Sequence, residues 1–169
     1  MLNWIKKNTK PQQDVELTLK TKTAPGTAIT HDPNLLVQLK TEHYILLEIF
    51  REIKFACKDR KYSELAQKLE QFRNLLQDHI LVENVRLYIY LERSYLEDES
   101  NYIAIREMRR EMDMIGRNVL AFLDKYATIG TNGDIDPNFL EDLLQVGSIL
   151  TQRIETEENI LFPLYMADR

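Results

Sequence analysis

Four long stretches of the chain place an apolar residue at alternating steps of three and four residues. This spacing is typical of amphipathic α-helices, because residues three and four apart lie on the same face of a helix. No stretch shows the alternation of apolar and polar residues that indicates a half-buried strand. Long helices that each bury one apolar stripe and are joined by short connections predict an all-α protein, an up-down-up-down four-helix bundle.

Turn-forming residues predict where these helices start and stop. An Asp-Pro pair stands at residues 32–33 and another at 136–137, and each offers an acidic cap followed by a proline whose missing N–H is harmless in the first turn. The second helix is expected to begin near Tyr62. Two glycines and an asparagine within residues 129–134 predict the loop before the fourth helix.

The segment before the first helix differs from the rest of the chain. Residues 1–31 contain two of the five prolines and no sustained apolar period, which predicts an irregular N-terminal arm. Residues 32–169 are then expected to form one bundle domain, and a chain of 169 residues is large enough to enclose a core of this kind.

Composition argues against several classes of function. The formal net charge is −5, which argues against nucleic acid as a partner because phosphate neutralisation needs a surplus of Lys and Arg. No apolar run is long enough to span a membrane and no secretion signal is evident, so we expect a cytoplasmic protein without an integral membrane segment. No nucleophile stands beside a base and no glycine-rich phosphate loop follows a strand, so we predict that the protein is not an enzyme.

Three of the four stripes contain ionisable residues among apolar ones. A buried ionisable group needs a partner, a metal ion or loss of its charge to offset its lost hydration. Because neighbouring helices run antiparallel in such a bundle, these groups are expected to lie at similar depth and form one polar layer. The stripes are Leu36, Leu39, His43, Leu46, Phe50, Ile53 and Cys57; Leu65, Leu69, Phe72, Leu76, His79, Glu83, Leu87 and Tyr90; Ile105, Met108, Met112, Ile115, Val119, Phe122 and Tyr126; and Phe139, Leu143, Val146, Leu150, Arg153, Glu157 and Ile160.

Short motifs along this layer carry a family resemblance. Glu42-His43 stands in the first helix, His79 precedes Glu83 by about one turn in the second, and residues 153–164 run Arg-Ile-Glu-Thr-Glu-Glu-Asn-Ile-Leu-Phe-Pro-Leu in the fourth. In this order, over residues 33–166, they resemble the motifs of hemerythrin-like domains, four-helix bundles that hold iron in their core. The resemblance implies the same fold here.

The resemblance also implies a set of ligand positions, which this chain fills only in part. His43, His79, Glu83 and Glu158 match metal ligands of the family. The family's remaining histidine positions are occupied here by Met112, Gly116 and Arg153. A thioether is a poor ligand for iron, and a guanidinium has no lone pair to donate and carries a permanent positive charge.

These substitutions favour a core in which protein charge replaces metal charge. We expect Arg153 to pair with Glu83 and with either Glu157 or Glu158 through charge-assisted hydrogen bonds. On this interpretation the protein holds no cofactor and serves as a regulatory or protein-interaction module. The alternative is a module that binds iron or another divalent metal and binds or senses oxygen, nitric oxide or iron.

The partner of such a module is not evident from the sequence, which is compatible with a protein partner or a homo-oligomer. Tyr88 lies off the stripe of its helix, so it either faces a partner or a second copy of the chain, or packs beneath the arm.

Overall fold

The computed structural model describes residues 22–129 and 135–168, and over these ranges four helices pack side by side. Helix α1 contacts α2 and α4, and α3 contacts the same two helices from the other side, which confirms the all-α bundle. No helix among the described residues combines the length and apolar character needed to cross a membrane. The helices are α1, Leu35–Lys58; α2, an α-helix over Tyr62–Val82, a π-helix over Glu83–Tyr88 and an α-helix over Ile89–Ser94; α3, Glu99–Lys125; and α4, an α-helix over Phe139–Thr156, a π-helix over Glu157–Leu161 and an α-helix over Phe162–Ala167.

Both Asp-Pro pairs lie just ahead of a helix, as predicted, but the aspartate is not the capping residue itself. Asp32 accepts a hydrogen bond from the backbone N–H of Asn34 at 2.8 Å, and Asp136 does the same for Asn138 at 2.8 Å. Each asparagine is the cap, and the helix begins at the next residue. The Asp-Pro-Asn turn therefore sets the direction in which each helix starts. The predicted loop at residues 130–134 lies outside the described residues.

A polar layer divides the apolar core into two clusters. Each helix passes from one cluster to the other through a member of the layer or through Met112. For each helix in turn, the following residues run from an apolar neighbour on one side of the layer, through the layer, to an apolar neighbour on the other side: Leu39, His43, Leu46; Leu76, His79 and Glu83, Leu87; Met108, Met112, Ile115; and Leu150, Arg153 and Glu157, Leu161.

The two π-helical turns change which residues face the core. A π-helical turn contains more residues than an α-helical turn, so the side chains that follow it are rotated relative to an ideal α-helix. In α4 the predicted core residue Ile160 is 54% exposed, and Leu161 is fully buried in its place. In α2 Tyr88 is fully buried, so of the two alternatives for this residue, the one in which it faces a partner or a second copy of the chain was wrong.

The described part of the arm, residues 22–31, packs against the end of α4. Gly26 adopts a positive φ of 70° in a turn that brings Thr23 opposite Thr30. At the end of the arm, the ring of His31 stacks on Tyr165 with their centroids 4.5 Å apart. Residues 1–21 of the predicted arm lie outside the described residues.

Candidate metal centre

Two histidines and two glutamates from three helices meet in the polar layer. His43 comes from α1, His79 and Glu83 from α2, and Glu157 from α4, and one ligand atom from each lies within 4.8 Å of all the others. All four side chains are buried. Two ligands on opposite sides of a metal with bonds of about 2.1 Å lie about 4.2 Å apart. A small inward movement of these side chains is therefore enough to enclose one ion.

Carboxylates outside the cluster fix the orientation of both imidazole rings. Nδ1 of His43 lies 3.0 Å from Oε1 of Glu158, and Nδ1 of His79 lies 2.8 Å from Oε2 of Glu42. Because a carboxylate accepts, each Nδ1 carries the proton in these hydrogen bonds and, in the neutral ring, Nε2 keeps its lone pair. Histidine ligands of metals are held in this way by outer carboxylates.

Glu83 is the clearest sign that the cluster is suited to a cation. Its side chain is fully buried, and neither of its carboxylate oxygens has a hydrogen-bond partner among the described residues. The nearest imidazole nitrogen, Nε2 of His79, lies 3.7 Å from Oε2 of Glu83. Nε2 of His43 also lacks a hydrogen bond, although it lies 3.1 Å from Oε2 of Glu157. Buried polar atoms are rarely left unpaired, and these atoms belong to residue types that bind divalent metals.

Burial and neighbouring charges move the pKa values of the cluster in opposite directions. Burial, reinforced by the negative charge of Glu157, raises the pKa of Glu83 well above its ordinary 4.5. Burial also raises the pKa of a carboxyl such as Glu157, but His43 and Arg153 outweigh it and lower the pKa of that group. For His43, burial lowers the pKa, but the neighbouring carboxylates of Glu157 and Glu158 outweigh burial, and the pKa is raised overall. Binding of a metal ion must therefore displace protons from this site.

The pKa of the second imidazole moves the other way. Burial lowers the pKa of His79, and the hydrogen bond with Glu42 offsets this only in part. His79 is therefore readily available in the neutral form that binds a metal.

Arg153 lies beside the cluster with its guanidinium almost completely buried. Its Nε donates to Oε1 of Glu157, its Nη2 donates to the hydroxyl of Tyr88, and its Nη1 donates to Oε2 of Glu111 at 3.3 Å. Burial opposes the charge of Arg153, but Glu157 and Tyr88 raise its pKa above the ordinary value. The expected pairing with Glu157 is present, whereas no hydrogen bond joins Arg153 to Glu83.

Of the two acids of α4, the one that faces the cluster is Glu157 and not Glu158, which the resemblance implied as a ligand. Glu157, on the apolar stripe, faces the cluster, and the side chain of Glu158 is 31% exposed and holds His43 from outside. The stripe was therefore the better guide to the inward-facing acid. Among the substituted positions, Met112 and Gly116 are both buried in α3, and a Cβ added to Gly116 would lie 3.1 Å from Cδ1 of Ile80.

A family model decides the relationship of this chain to known proteins. The model of the hemerythrin HHE cation-binding domain matches residues 34–165, which include every member of the cluster. The chain belongs to the hemerythrin HHE cation-binding family. No curated protein and no solved structure matches it.

The positions that the resemblance implied as metal ligands divide between two sides of this hemerythrin-like domain. The retained histidines and Glu83 lie on α1 and α2, while the substituted positions lie on α3 and α4. The sequence carries no periodic signal for Glu42, Glu111 or Tyr88, because each lies off its helix's apolar stripe. Their roles become visible only when the helices are packed together.

A small cavity adjoins the His/Glu cluster of this hemerythrin-like domain. Its volume is ≈ 20 Å³, and His43, His79, Arg153 and Glu157 line it together with apolar residues that include Phe50. A cavity of this size holds about one water molecule. The cluster therefore has room beside it for about one water molecule.

Proposed function

We propose that this hemerythrin-like domain binds one divalent metal ion through His43, His79, Glu83 and Glu157, and that it is a sensing or binding module rather than an enzyme. The observation that carries the proposal is the fully buried carboxylate of Glu83, which has no hydrogen-bond partner among the described residues. A buried charge of this kind is strongly unfavourable unless a cation or a proton neutralises it.

The second metal position of the family is filled here by protein charge. Glu157 directs one oxygen to Arg153 and the other toward His43, so its carboxylate joins the guanidinium to the metal-ligand cluster. One divalent ion balances the charges of Glu83 and Glu157, and the exposed carboxylate of Glu111 lies beside the remaining charge of Arg153. A second metal ion would be repelled by the guanidinium at short range.

Iron is the metal that the family resemblance favours, and the side chains present suit it. Two imidazoles and two carboxylates provide the nitrogen and oxygen donors that ferrous iron, manganese and zinc accept. Held by His43, His79, Glu83 and Glu157, a ferrous ion would supply redox chemistry and affinity for a small molecule such as dioxygen or nitric oxide. The cavity of ≈ 20 Å³ beside the cluster holds about one water molecule, so it favours only a very small molecule at this position.

A second candidate function is a metal-free regulatory or protein-interaction module. The observation that favours it is the network of Arg153 with Glu157 and Tyr88, which satisfies the guanidinium without an ion. In that case protonation of Glu83, whose pKa is raised by burial, would replace metal binding. Cofactor content therefore separates the two candidates.

The test compares two histidine substitutions in the full chain. After anaerobic reconstitution with ferrous iron and removal of free metal, we expect stoichiometric iron in the parent and in His31→Asn, whose ring lies against Tyr165 away from the cluster. His79→Asn should lose the iron because it removes an imidazole ligand. Equal iron contents in both variants, or none in the parent, would show that the cluster does not bind the metal.

A further inference from the structure

A positively charged groove opens on the surface between the end of α2 and the first half of α3. Its volume is ≈ 470 Å³, within the range of small-molecule sites. The charged residues that line it are four arginines, Arg93, Arg106, Arg109 and Arg110, and two acids, Glu92 and Asp113. This excess of positive charge contrasts with the net charge of −5 for the whole chain.

Two of the arginines have no ionic partner. Arg93 and Arg110 are both exposed, and the side chain of neither forms an ion pair or hydrogen bond with any of the described residues. Unpaired guanidiniums on a convex helix face are ordinarily just solvated. Here both line a concave groove together with two further arginines, so their fields add at one place.

The other two arginines are held in fixed orientations. Arg109 donates from Nη1 to Glu92 at 3.1 Å and from Nε to the side-chain oxygen of Asn84 at 3.1 Å. The guanidinium of Arg106 lies 5.6 Å from the centroid of the Tyr102 ring, a cation–π distance. Preorganised donors lose less conformational entropy when they bind a ligand.

We propose that this groove binds the phosphate group of a small phosphorylated molecule. A planar guanidinium matches two phosphate oxygens at once, and several arginines together compensate a dianion. The groove is larger than a phosphate ion needs, which leaves room for an organic part beside Leu96 and Tyr102. This site lies on the surface and does not depend on the metal proposed for the core.

The experiment is calorimetric titration of the full chain with inorganic pyrophosphate. We expect saturable binding that weakens about tenfold in Arg93→Gln and in Arg110→Gln, since each removes one charge-assisted contact. The matched control is Arg117→Gln, an exposed arginine of the same helix α3 outside the groove, which should bind as the parent does. His79→Asn, which disrupts the core cluster, should also retain the binding.

Several outcomes would overturn the assignment. Absence of saturable pyrophosphate binding would contradict the assignment. If Arg117→Gln weakened binding as much as Arg93→Gln and Arg110→Gln do, the binding would reflect general electrostatic attraction rather than a site in the groove. Loss of binding in His79→Asn would place the anion at the metal centre instead. A phosphoserine peptide that binds more tightly than pyrophosphate, a nucleotide and a sugar phosphate would indicate a protein partner rather than a small molecule.

Discussion

At the scale of single residues, Glu157 and Glu83 have the same charge and opposite surroundings. Glu157 accepts a hydrogen bond from Arg153 and lies close to His43, whereas Glu83 has no hydrogen-bond partner among the described residues. The sequence predicted both as core residues because they lie on apolar stripes. It could not predict this difference, since the guanidinium that satisfies Glu157 is directed by contacts with Tyr88 and Glu111 from other helices.

Removing the guanidinium should destabilise the metal-free protein. In Arg153→Met, Glu157 loses a buried cationic partner, and breaking a buried pair in this way costs about 3 to 5 kcal/mol. Urea unfolding of the chelator-treated protein measures the free energy of unfolding. The control Arg51→Met removes an exposed arginine that pairs with Glu48, for which a loss of at most about 1 kcal/mol is expected. Equal stability of the Arg153→Met variant and the parent would contradict the role given to this residue.

The outer carboxylate of His79 should contribute to metal affinity without binding the metal. Glu42→Gln weakens the acceptor that orients the ring of His79, and such changes typically lower metal affinity by about 10- to 100-fold. Competition with a chromophoric chelator measures the affinity. Glu48→Gln, which changes a partly exposed carboxylate of the same helix that pairs with Arg51, is the control. An unchanged affinity in Glu42→Gln would mean that the ring needs no support from this carboxylate.

Glu83 should make the stability of the metal-free protein decrease as the pH rises. Its pKa is raised in the folded state, so the folded state holds the proton more tightly and stability declines as the pH rises above 4.5 through the folded pKa. Glu83→Gln stays neutral and lacks this loss. The difference in unfolding free energy between variant and parent should therefore grow in favour of the variant from pH 4.5 upward.

This pH series has a second readout in the presence of metal. Glu83→Gln replaces a carboxylate ligand with a neutral amide, so it should bind iron poorly even where it is the more stable metal-free protein. A difference in stability that shrinks with rising pH would contradict the assignment of the raised pKa.

At the scale of the elements, the two π-helical turns explain where prediction from sequence succeeded and failed. Glu83 begins one of these turns and Glu157 the other. The apolar stripes predicted the faces of all four helices and the inward direction of both acids. They misplaced Ile160 and Tyr88, because a constant helical period does not account for the additional residue in a π-helical turn.

The turn in α2 is open to a direct test. Deleting Val85, which is 46% exposed, removes one residue from the π-helix and favours an α-helical turn in its place. The apolar residues that follow should keep their faces, while the residues of the shortened turn, Glu83 among them, shift their positions relative to the cluster. We expect unchanged helical circular dichroism and at least a tenfold loss of metal affinity. The control is Val85→Ala, and equal affinities in the two variants would contradict a role for the turn.

At the scale of the whole molecule, the polar layer lies between two apolar clusters that do not depend on it. Leu65 and Phe139 belong to one cluster, and Leu35 and Phe162 to the other. The bundle could therefore be predicted from hydrophobic periodicity alone. The two apolar clusters also explain why the fold tolerates other residues at the ligand positions that the resemblance implied. Hydrophobic periodicity could not predict whether a metal ion lies in the layer. The charge of Arg153 opposes a cation nearby, but the cluster beside Arg153 still offers ligands for one.

The most direct test of the central claim is an anaerobic titration of the metal-free full chain with ferrous iron, in which bound ions are counted per chain and thermal unfolding is followed. The account predicts one ion per chain and a higher unfolding temperature in its presence, because an ion that binds only the folded state stabilises it. Two ions per chain would show that Arg153 does not fill the second position. No bound ion would show that the core is satisfied by protein charge and protons alone.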